Sequence, residues 1–212
     1  MDISSTIAKK LLEKQAVKIS LDPPFTWASG IKSPIYCDNR MLISFPDVRE
    51  IIVDAFCEIV KEKNPDYVAG TATAAIPWAA FVAQKLSLPM VYVRSEPKDH
   101  GAGKQIEGHL DQGKNVVLIE DLISTGGSSI KAAEALRNEG GAIVTEVLAI
   151  VTYEMEKSKN AFAENNLNLN YLTDFSHLLE EVKKQGYLSE EQVKMVLGFS
   201  ADPPNWWESI NK

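Results

Sequence analysis

From residue 67 onward, short apolar runs alternate with stretches in which apolar residues recur at helical spacing. The apolar runs resemble buried parallel strands, and the periodic stretches resemble amphipathic helices. The predicted strands are 67–70, 90–93, 116–120 and 142–151, with helices at 76–86 and 127–138 and a loop at 94–110. Strands that alternate with helices predict a parallel sheet with right-handed crossovers.

The two ends of the chain have different patterns. The N-terminal part predicts a helix, two short strands around a turn at Gly30, and a helix that Pro46 opens, at 3–15, 25–30, 33–37 and 46–63. The last ~50 residues are predicted to be helical, with helices at 174–185 and 189–197 and an irregular tail at 203–207. Thr173 or Asp174 and Ser189 are candidate helix caps.

Together these elements predict an α/β fold, with a central, mostly parallel sheet flanked by helices. We expect one domain over residues 1–212, because the pattern contains no clear linker. Within it we expect a small N-terminal hood at about 1–45, a core at about 46–155, and a helical C-terminal extension at about 156–212.

Composition and charge narrow the class of protein. A chain of 212 residues with 45% hydrophobic and 24% charged residues is typical of a globular α/β domain. No apolar run approaches the ~20 residues of a membrane span, and the N-terminus lacks the pattern of a secretory signal. Cys37 and Cys57 have neither metal-ligand nor disulfide spacing, so we expect a cytoplasmic protein. The net charge of −7 argues against a nucleic-acid surface, but a small anionic substrate remains compatible with it.

The most informative segment is residues 115–129, which read NVVLIEDLISTGGSS. An apolar strand ends in the acid pair Glu120 and Asp121, and a glycine-rich, hydroxyl-rich turn then leads into a helix. Such a turn offers free backbone N–H groups and the positive end of a helix dipole, which suit a phosphate. Acids at the carboxyl end of a strand in an open α/β sheet lie where ligands bind. The carboxylates suit sugar hydroxyls, a cation or a developing positive charge, so the segment predicts a site for a phosphorylated sugar.

A simpler interpretation of this segment stays open. An ordinary strand–turn–helix connection would also use Asp121 as a cap and glycines as turn formers. Two better-known phosphate motifs do not fit, because the segment has neither the Gly-Lys-Ser/Thr of a P-loop nor a G-x-G-x-x-G fingerprint.

Residues 94–109 form a second candidate segment, with three glycines and several cations in a long polar stretch. Long loops without secondary structure are uncommon in compact domains and are usually functional. The glycines would let the loop move, and its cations would let it close over an anion. A solvated surface loop is the alternative.

Four segments together resemble the orotate phosphoribosyltransferases, within the type I phosphoribosyltransferase family. The acid pair and turn resemble the signature of the type I family, and Arg-x-x-x-Lys-Asp-His-Gly at 94–101 resembles the catalytic loop of the orotate enzymes. FTWASGIKSPIY at 25–36 resembles their hood, and GTATAAIP at 70–77 resembles the pyrophosphate loop. The resemblance spans roughly residues 1–155.

The resemblance implies an enzyme that joins orotate to phosphoribosyl pyrophosphate, giving orotidine 5′-monophosphate and pyrophosphate. The implied catalytic residues are Lys98 and Asp121, and Ser124 would also reach orotate. The residues implied to bind phosphoribosyl pyrophosphate are Arg94, Lys98, His100, Glu120, Asp121, Leu122, Ile123, Ser124, Thr125, Gly126, Gly127 and Ser128. It further implies Mg²⁺ bound mainly through substrate, with no dedicated protein metal site, and a homodimer with shared active sites.

The chain departs from the family pattern at several positions, and alternatives therefore remain. Ser95 and Ala28 stand where many members have substrate-contacting lysines, and Ala75 where a glycine is common. Lys32 and Arg40 in the hood could pair with the orotate carboxylate or could be surface charges. A purine or xanthine phosphoribosyltransferase would share the signature, and a ligand-sensing regulator could keep the same fold.

Overall fold

The computed structural model describes residues 2–27, 30–97 and 104–210. The helices are α1 (Ile3–Glu13), α2 (Pro46–Lys63), α3 (Ile76–Leu86), α4 (Gly127–Asn138), α5 (Glu156–Glu164), α6 (Phe175–Lys184), α7 (Glu190–Ala201) and α8 (Trp206–Ile210). The strands are β1 (Val17–Ile19), β2 (Phe25–Thr26), β3 (Lys32–Ser33), β4 (Ile35–Cys37), β5 (Tyr67–Thr71), β6 (Met90–Val93), β7 (Ile106–Glu107), β8 (Asn115–Ile123), β9 (Ile143–Thr152) and β10 (Asn168–Asp174). A 3-10 helix spans Asn39–Ser44.

The centre of the fold is a six-stranded sheet in the order β10-β9-β8-β5-β6-β7. The strands from β10 to β6 are parallel to their neighbours, and β7 runs antiparallel to β6 at the edge. β5 and β8 pair in register, with Gly70 opposite Ile119. The carboxyl ends of β5, β6 and β8 therefore lie along one edge of the sheet, where ligands of open α/β sheets bind.

Alternating side chains of the sheet pack into two apolar cores. On one face, Val117, Ile119 and Leu148 pack with residues of α1, α2, α3, α6 and α7. On the other face, Leu118 and Ala149 pack with residues of α4 and α5. Helices on both faces explain why these strands read as continuous apolar runs in the sequence. The predicted fold class is confirmed.

Most of the predicted element boundaries are confirmed as well. α2, α3 and α4 have the predicted limits, with Pro46 at the start of α2. Asp174 and Ser189 cap α6 and α7 through hydrogen bonds to backbone N–H groups. Two predictions need correction. β8 continues to Ile123 because Leu122 and Ile123 still pair with β9, so the acid pair lies within the strand rather than at its end. The predicted loop 94–110 contains the short strand β7.

The expectation that the C-terminal extension is entirely helical is wrong for residues 168–174. This segment is β10, which adds an edge strand parallel to β9. Its asparagines conceal the strand, because Asn168 and Asn170 break the apolar pattern. Both side chains donate hydrogen bonds to Glu146 on β9, at 2.7 and 2.9 Å. The tail is also more regular than predicted, since α8 forms at its end.

The hood contains two small antiparallel pairings, β1 with β4 and β2 with β3. The β2–β3 hairpin turns at Gly30, whose φ of +84° favours glycine. β1 was not predicted. The hood reaches the core through the 3-10 helix, where Asn39 Nδ2 donates a 2.7 Å hydrogen bond to the carbonyl oxygen of Asp121. Among the described residues, no helix has the length and apolarity to cross a membrane.

Candidate active site

A cavity of about 630 Å³ opens at the carboxyl ends of β5, β6 and β8. We call it the first cavity. Three segments that are far apart in sequence meet there, because parallel strands bring their carboxyl ends to one edge of the sheet. The lining residues are Thr71, Ala72, Thr73, Ala74, Arg94, Ser95, Glu96, Glu120, Asp121, Leu122, Ile123, Ser124, Thr125, Gly126, Gly127, Ser128, Ser129, Lys131 and Ala132.

The turn between β8 and α4 forms one wall of the first cavity. Gly126 lies at the N-cap of α4 with φ +82°, a conformation that favours glycine. A Cβ at this position would meet the ring of Phe162 at 2.5 Å, so packing by α5 also requires glycine here. In the part of the chain that the structure describes, no side chain caps the N-terminus of α4. Its first N–H groups are therefore available to an anion at the positive end of the helix dipole.

The acid pair is held rigidly beside this turn. The Glu120 side chain is 5% exposed, and its two oxygens accept hydrogen bonds from the Asp121 backbone N–H at 3.0 Å and from Ser129 Oγ at 2.9 Å. Asp121 is fixed through its backbone by Asn39. Glu120 and Asp121 both line the first cavity, close to the turn that begins at Ser124.

Burial changes the protonation of this pair. Burial, together with the charge of Asp121, raises the pKa of Glu120 from 4.5 to about 8. Burial also raises the pKa of Asp121, but hydrogen bonds from backbone N–H groups and the positive charge of Arg40 oppose that rise. Ionising both of two neighbouring buried carboxyl groups costs free energy, because their negative charges repel each other. At neutral pH we therefore place the single negative charge on Asp121 and the proton on Glu120.

The loop segment contributes its first residues to the same cavity. Arg94, Ser95 and Glu96 line it, and Arg94 forms an ion pair with Glu107 on β7 at 3.6 Å. The backbone of Gln105 accepts a hydrogen bond from Arg94 N–H, so the two arms of the loop lie side by side. Lys98 and His100 lie outside the described residues.

The segment 70–77 begins in β5, the strand that pairs with β8, so it starts beside the acid pair and lines the same cavity. Gly70 is packed so tightly that a Cβ there would lie 2.9 Å from the Ala79 side chain, which keeps β5 close to α3. Thr71 to Ala74 line the cavity. Thr71 Oγ1 is one of the buried side-chain oxygens, among the described residues, that have no hydrogen-bond partner. A ligand oxygen or N–H group in the cavity could supply that partner.

A second cavity, of about 240 Å³, adjoins the first between the hood and the core. Leu122 and Ser124 line both cavities, which makes them the connection between the two. The remaining lining residues are Thr26, Trp27, Tyr36, Cys37 and Tyr153. Three of these seven residues have aromatic rings, and rings suit the face of a planar ligand.

The two hood cations differ in what they contact. Arg40 is held by the Asp38 carboxylate, with Nε–Oδ1 and Nη2–Oδ2 distances of 2.6 and 2.9 Å. Lys32 Nζ instead donates a 2.7 Å hydrogen bond to Thr26 Oγ1, a side chain that lines the second cavity. The guanidinium of Arg40 thus already has a carboxylate partner, whereas Lys32 contacts a neutral hydroxyl.

The structure brings together all the predicted site residues that it describes. Arg94 and the continuous run from Glu120 to Ser128 line the first cavity, and Ser124 also lines the second. Trp27 and Thr71 lie in the segments 25–36 and 70–77 that carry the resemblance, but neither was predicted as a site residue, and Tyr153 was not predicted at all. Tyr153 directly follows the carboxyl end of β9, the strand next to the acid pair. That position was a usable signal, because neighbouring parallel strands end at the same edge.

Comparisons with known proteins agree with this geometry. A family model for the phosphoribosyl transferase domain matches residues 41–173. An orotate phosphoribosyltransferase from Lactococcus lactis subsp. cremoris is 49% identical over 208 residues, covering 97% of this chain and 99% of the relative. One from Enterococcus faecalis is 50% identical over 206 residues, covering 96% and 98%.

A solved structure gives the same result at the level of the fold. The crystal structure of orotate phosphoribosyltransferase from Aeropyrum pernix has a TM-score of 0.74 and 31% identity, covering 86% of this chain and 99% of that one. The sequence matches extend through the hood and the C-terminal helices, beyond the segment that the family model covers. The chain belongs to the phosphoribosyltransferase family, and within it to the orotate phosphoribosyltransferases.

Proposed function

We propose that this chain transfers the 5-phosphoribosyl group from phosphoribosyl pyrophosphate to orotate, releasing pyrophosphate and orotidine 5′-monophosphate, a step of pyrimidine biosynthesis. The observation that carries the proposal is the junction of two cavities at Leu122 and Ser124. One cavity has an acid pair beside a glycine turn, and the other has aromatic walls. A phosphorylated sugar in the first cavity would present its reacting carbon toward a planar base in the second.

The parts of phosphoribosyl pyrophosphate have separate places in the first cavity. The turn from Ser124 to Ser128 would bind the 5′-phosphate through backbone N–H groups and hydroxyls. Glu120 and Asp121 would hold the ribose hydroxyls. The diphosphate would lie between Thr71–Ala74 and Arg94, with Lys98 and His100 supplying further positive charge. Ser124 would also contact orotate, because it lines both cavities.

Catalysis would come from charges positioned before the reaction. Breaking the C1′–O bond builds positive charge on the ribose ring and negative charge on the leaving diphosphate. The charge on Asp121 would stabilise the ring, and the cations of Arg94 and Lys98 would stabilise the diphosphate. In a site closed off from water, such interactions are stronger than in bulk solvent. We therefore propose Asp121 and Lys98 as the catalytic residues.

Magnesium belongs to the proposal as a substrate-bound ion. Mg²⁺ prefers oxygen ligands and usually reaches a protein on phosphate oxygens, with several waters retained. The oxygen donors of the first cavity fit this chemistry, since Asp121 and the hydroxyls of Ser124 and Thr125 line it. When bound, the ion would neutralise charge on the diphosphate. Asp121 is the residue we expect nearest to it.

A direct assay tests the proposed function. The purified chain should remove the absorbance of orotate when phosphoribosyl pyrophosphate and Mg²⁺ are both present, and a chelator should stop the reaction. The same assay with adenine, guanine and xanthine separates the purine alternatives, which the curated relatives do not favour. Turnover of a purine in place of orotate would overturn the proposal, and turnover of no base would favour a ligand sensor.

Replacing Asp121 by Asn should preserve the fold and reduce turnover on the order of 10²–10³-fold, because it removes one charge-stabilising group of matched shape. The measurement is the initial rate of orotate loss, with thermal unfolding to confirm folding. Asp47→Asn, in the exposed first turn of α2, serves as the control and should keep wild-type activity. A rate for Asp121→Asn within about threefold of wild type would show that the acid pair is misassigned.

Replacing Glu120 by Gln should change how stability depends on pH. The folded-state pKa of about 8 lies above the ordinary 4.5, so the folded protein binds a proton that the unfolded chain releases. The free energy of unfolding of the wild type should therefore fall as pH rises from about 4.5 to 8. Gln lacks this titration, so the variant should gain stability relative to wild type across the same range.

Urea unfolding of the ligand-free protein between pH 5 and 8 measures this difference. Glu191→Gln, in the exposed first turn of α7, is the matched control and should differ from wild type by a constant amount. If the Glu120→Gln and wild-type curves run parallel, the buried carboxyl does not hold its proton at neutral pH.

We further propose a cytoplasmic homodimer in which the tip of the loop serves the partner's site. The free thiols of Cys37 and Cys57 fit a reducing compartment, and cell fractionation would test the location. The dimer rests on the family resemblance. Because Arg94 to Glu96 line the cavity of their own chain, the proposal assigns Lys98, but not Arg94, to the partner's site.

Mixing two inactive variants tests the shared site. Lys98→Ala and Asp121→Asn homodimers should each be nearly inactive, whereas a mixed dimer would contain one intact site and one doubly defective site. Random pairing makes half of the dimers mixed, so activity should return to about a quarter of wild type if the sites are independent. If mass spectrometry shows subunit exchange without any return of activity, Lys98 acts in its own chain's site.

A further inference from the structure

The aromatic wall of the second cavity is built jointly by the hood and the core. Trp27 follows β2 in the hood, and Tyr153 follows β9 in the central sheet. Their rings stack with a centroid distance of 5.3 Å and an interplanar angle of 16°, and both line the cavity. Since Tyr153 is 2% exposed and fixed at the end of a central strand, the position of this wall depends on what holds Trp27.

Within the hood, Trp27 belongs to a small hairpin, where its backbone N–H donates to the Ile31 carbonyl oxygen and its carbonyl oxygen accepts from the Gly30 N–H. β2 and β3 are two residues each and, within the described residues, pair with each other rather than with the central sheet. Hairpins this small are marginal without additional packing. Trp27 Nε1 donates a 3.2 Å hydrogen bond to the carbonyl oxygen of Ile35, which fixes one edge of the indole. Among the described residues, the aromatic contacts of the Trp27 ring come from outside the hairpin.

The C-terminal helices supply that packing. Phe199 on α7 meets the Trp27 ring edge-on, with centroids 5.4 Å apart at 84°. Trp206 on α8 meets Phe199 in the same way, at 5.7 Å and 86°. Phe199 and Trp206 are 1% and 2% exposed, and Trp206 Nε1 donates to the carbonyl oxygen of Met195 at 2.6 Å. A continuous row of rings thus runs from the C-terminal helices to the wall of the cavity.

We propose that α7 and α8 position the base, with Phe199 and Trp206 as positioning residues that press Trp27 against Tyr153. The ligand class is a planar single-ring base, held by the face of this ring pair and by Ser124. This inference rests on the proposed function for the identity of the base. It gives the C-terminal helices a role in recognising the base, although they contribute no residue to the cavity.

The kinetic test compares two buried phenylalanines. Phe199→Leu should raise KM for orotate roughly two- to tenfold, the range expected from losing one aromatic pair. KM for phosphoribosyl pyrophosphate should stay within about twofold. Phe56→Leu on α2, equally buried in the same core but outside the row of rings, is the control and should leave both KM values near wild type. An unchanged KM for orotate in Phe199→Leu, or an equal rise in Phe56→Leu, would overturn the proposal.

A double-mutant comparison separates positioning from general loosening. Trp27→Leu should itself raise KM for orotate, and adding Phe199→Leu to it should raise KM little further, because the two residues act through one contact. Independent effects that multiply would contradict a path through Trp27.

A ligand-free measurement keeps the test independent of the reaction. The Trp27 fluorescence, taken as the emission lost in Trp27→Phe, should be quenched more strongly by acrylamide when Phe199 is Leu, and Phe56→Leu should have no such effect. If the wild type shows no turnover with orotate, the proposed function fails, and this quenching alone decides whether α7 positions Trp27. Unchanged quenching would overturn the positioning role whatever the substrate.

Discussion

The candidate active site depends on two neighbouring carboxyl groups that are both buried in the protein. Glu120 and Asp121 lie within a central strand, where burial raises the pKa of both. Their proximity is tolerated because Ser129 Oγ and the Asp121 backbone N–H donate hydrogen bonds to Glu120, and because burial beside Asp121 raises the pKa of Glu120 and so favours its neutral form. One negative charge remains beside the turn. In the proposed complex, the acid pair would contact the hydroxyls and ring of the sugar, and the turn would contact the phosphate.

Close packing around two glycines then places the backbone segments that are proposed to bind phosphate around this charge. Gly126 must be glycine both for its φ and for the Phe162 ring that packs against it. Gly70 lets β5 pack closely against Ala79 of α3, and the 71–74 segment continues from β5 into the lining of the first cavity. Neither glycine has a side chain that could contact a ligand. Each allows the backbone to reach a position from which N–H groups and small hydroxyls face the cavity.

The second cavity shows how a peripheral segment takes part in a site. The hood provides Trp27, the core provides Tyr153, and the C-terminal helices provide the rings that keep them together. A small hood has few contacts of its own, so its geometry depends on the elements that pack against it. In the same way Asn39 joins the hood to the backbone of Asp121, a residue that lines the first cavity.

The sequence by itself determined the parallel core and the first cavity, because both depend on local patterns. Apolar periodicity set the limits of α2, α3 and α4, and the run from Glu120 to Ser128 is contiguous, so its placement follows from one strand–turn–helix unit. Strand β10 appears only in the tertiary structure, where its asparagines donate hydrogen bonds to Glu146 on the neighbouring strand. The Trp27–Tyr153 pair and the Trp27–Phe199 contact also appear only in the tertiary structure, because each joins residues more than 100 positions apart. Periodicity reports the face of an element that is buried, but not which distant element covers it.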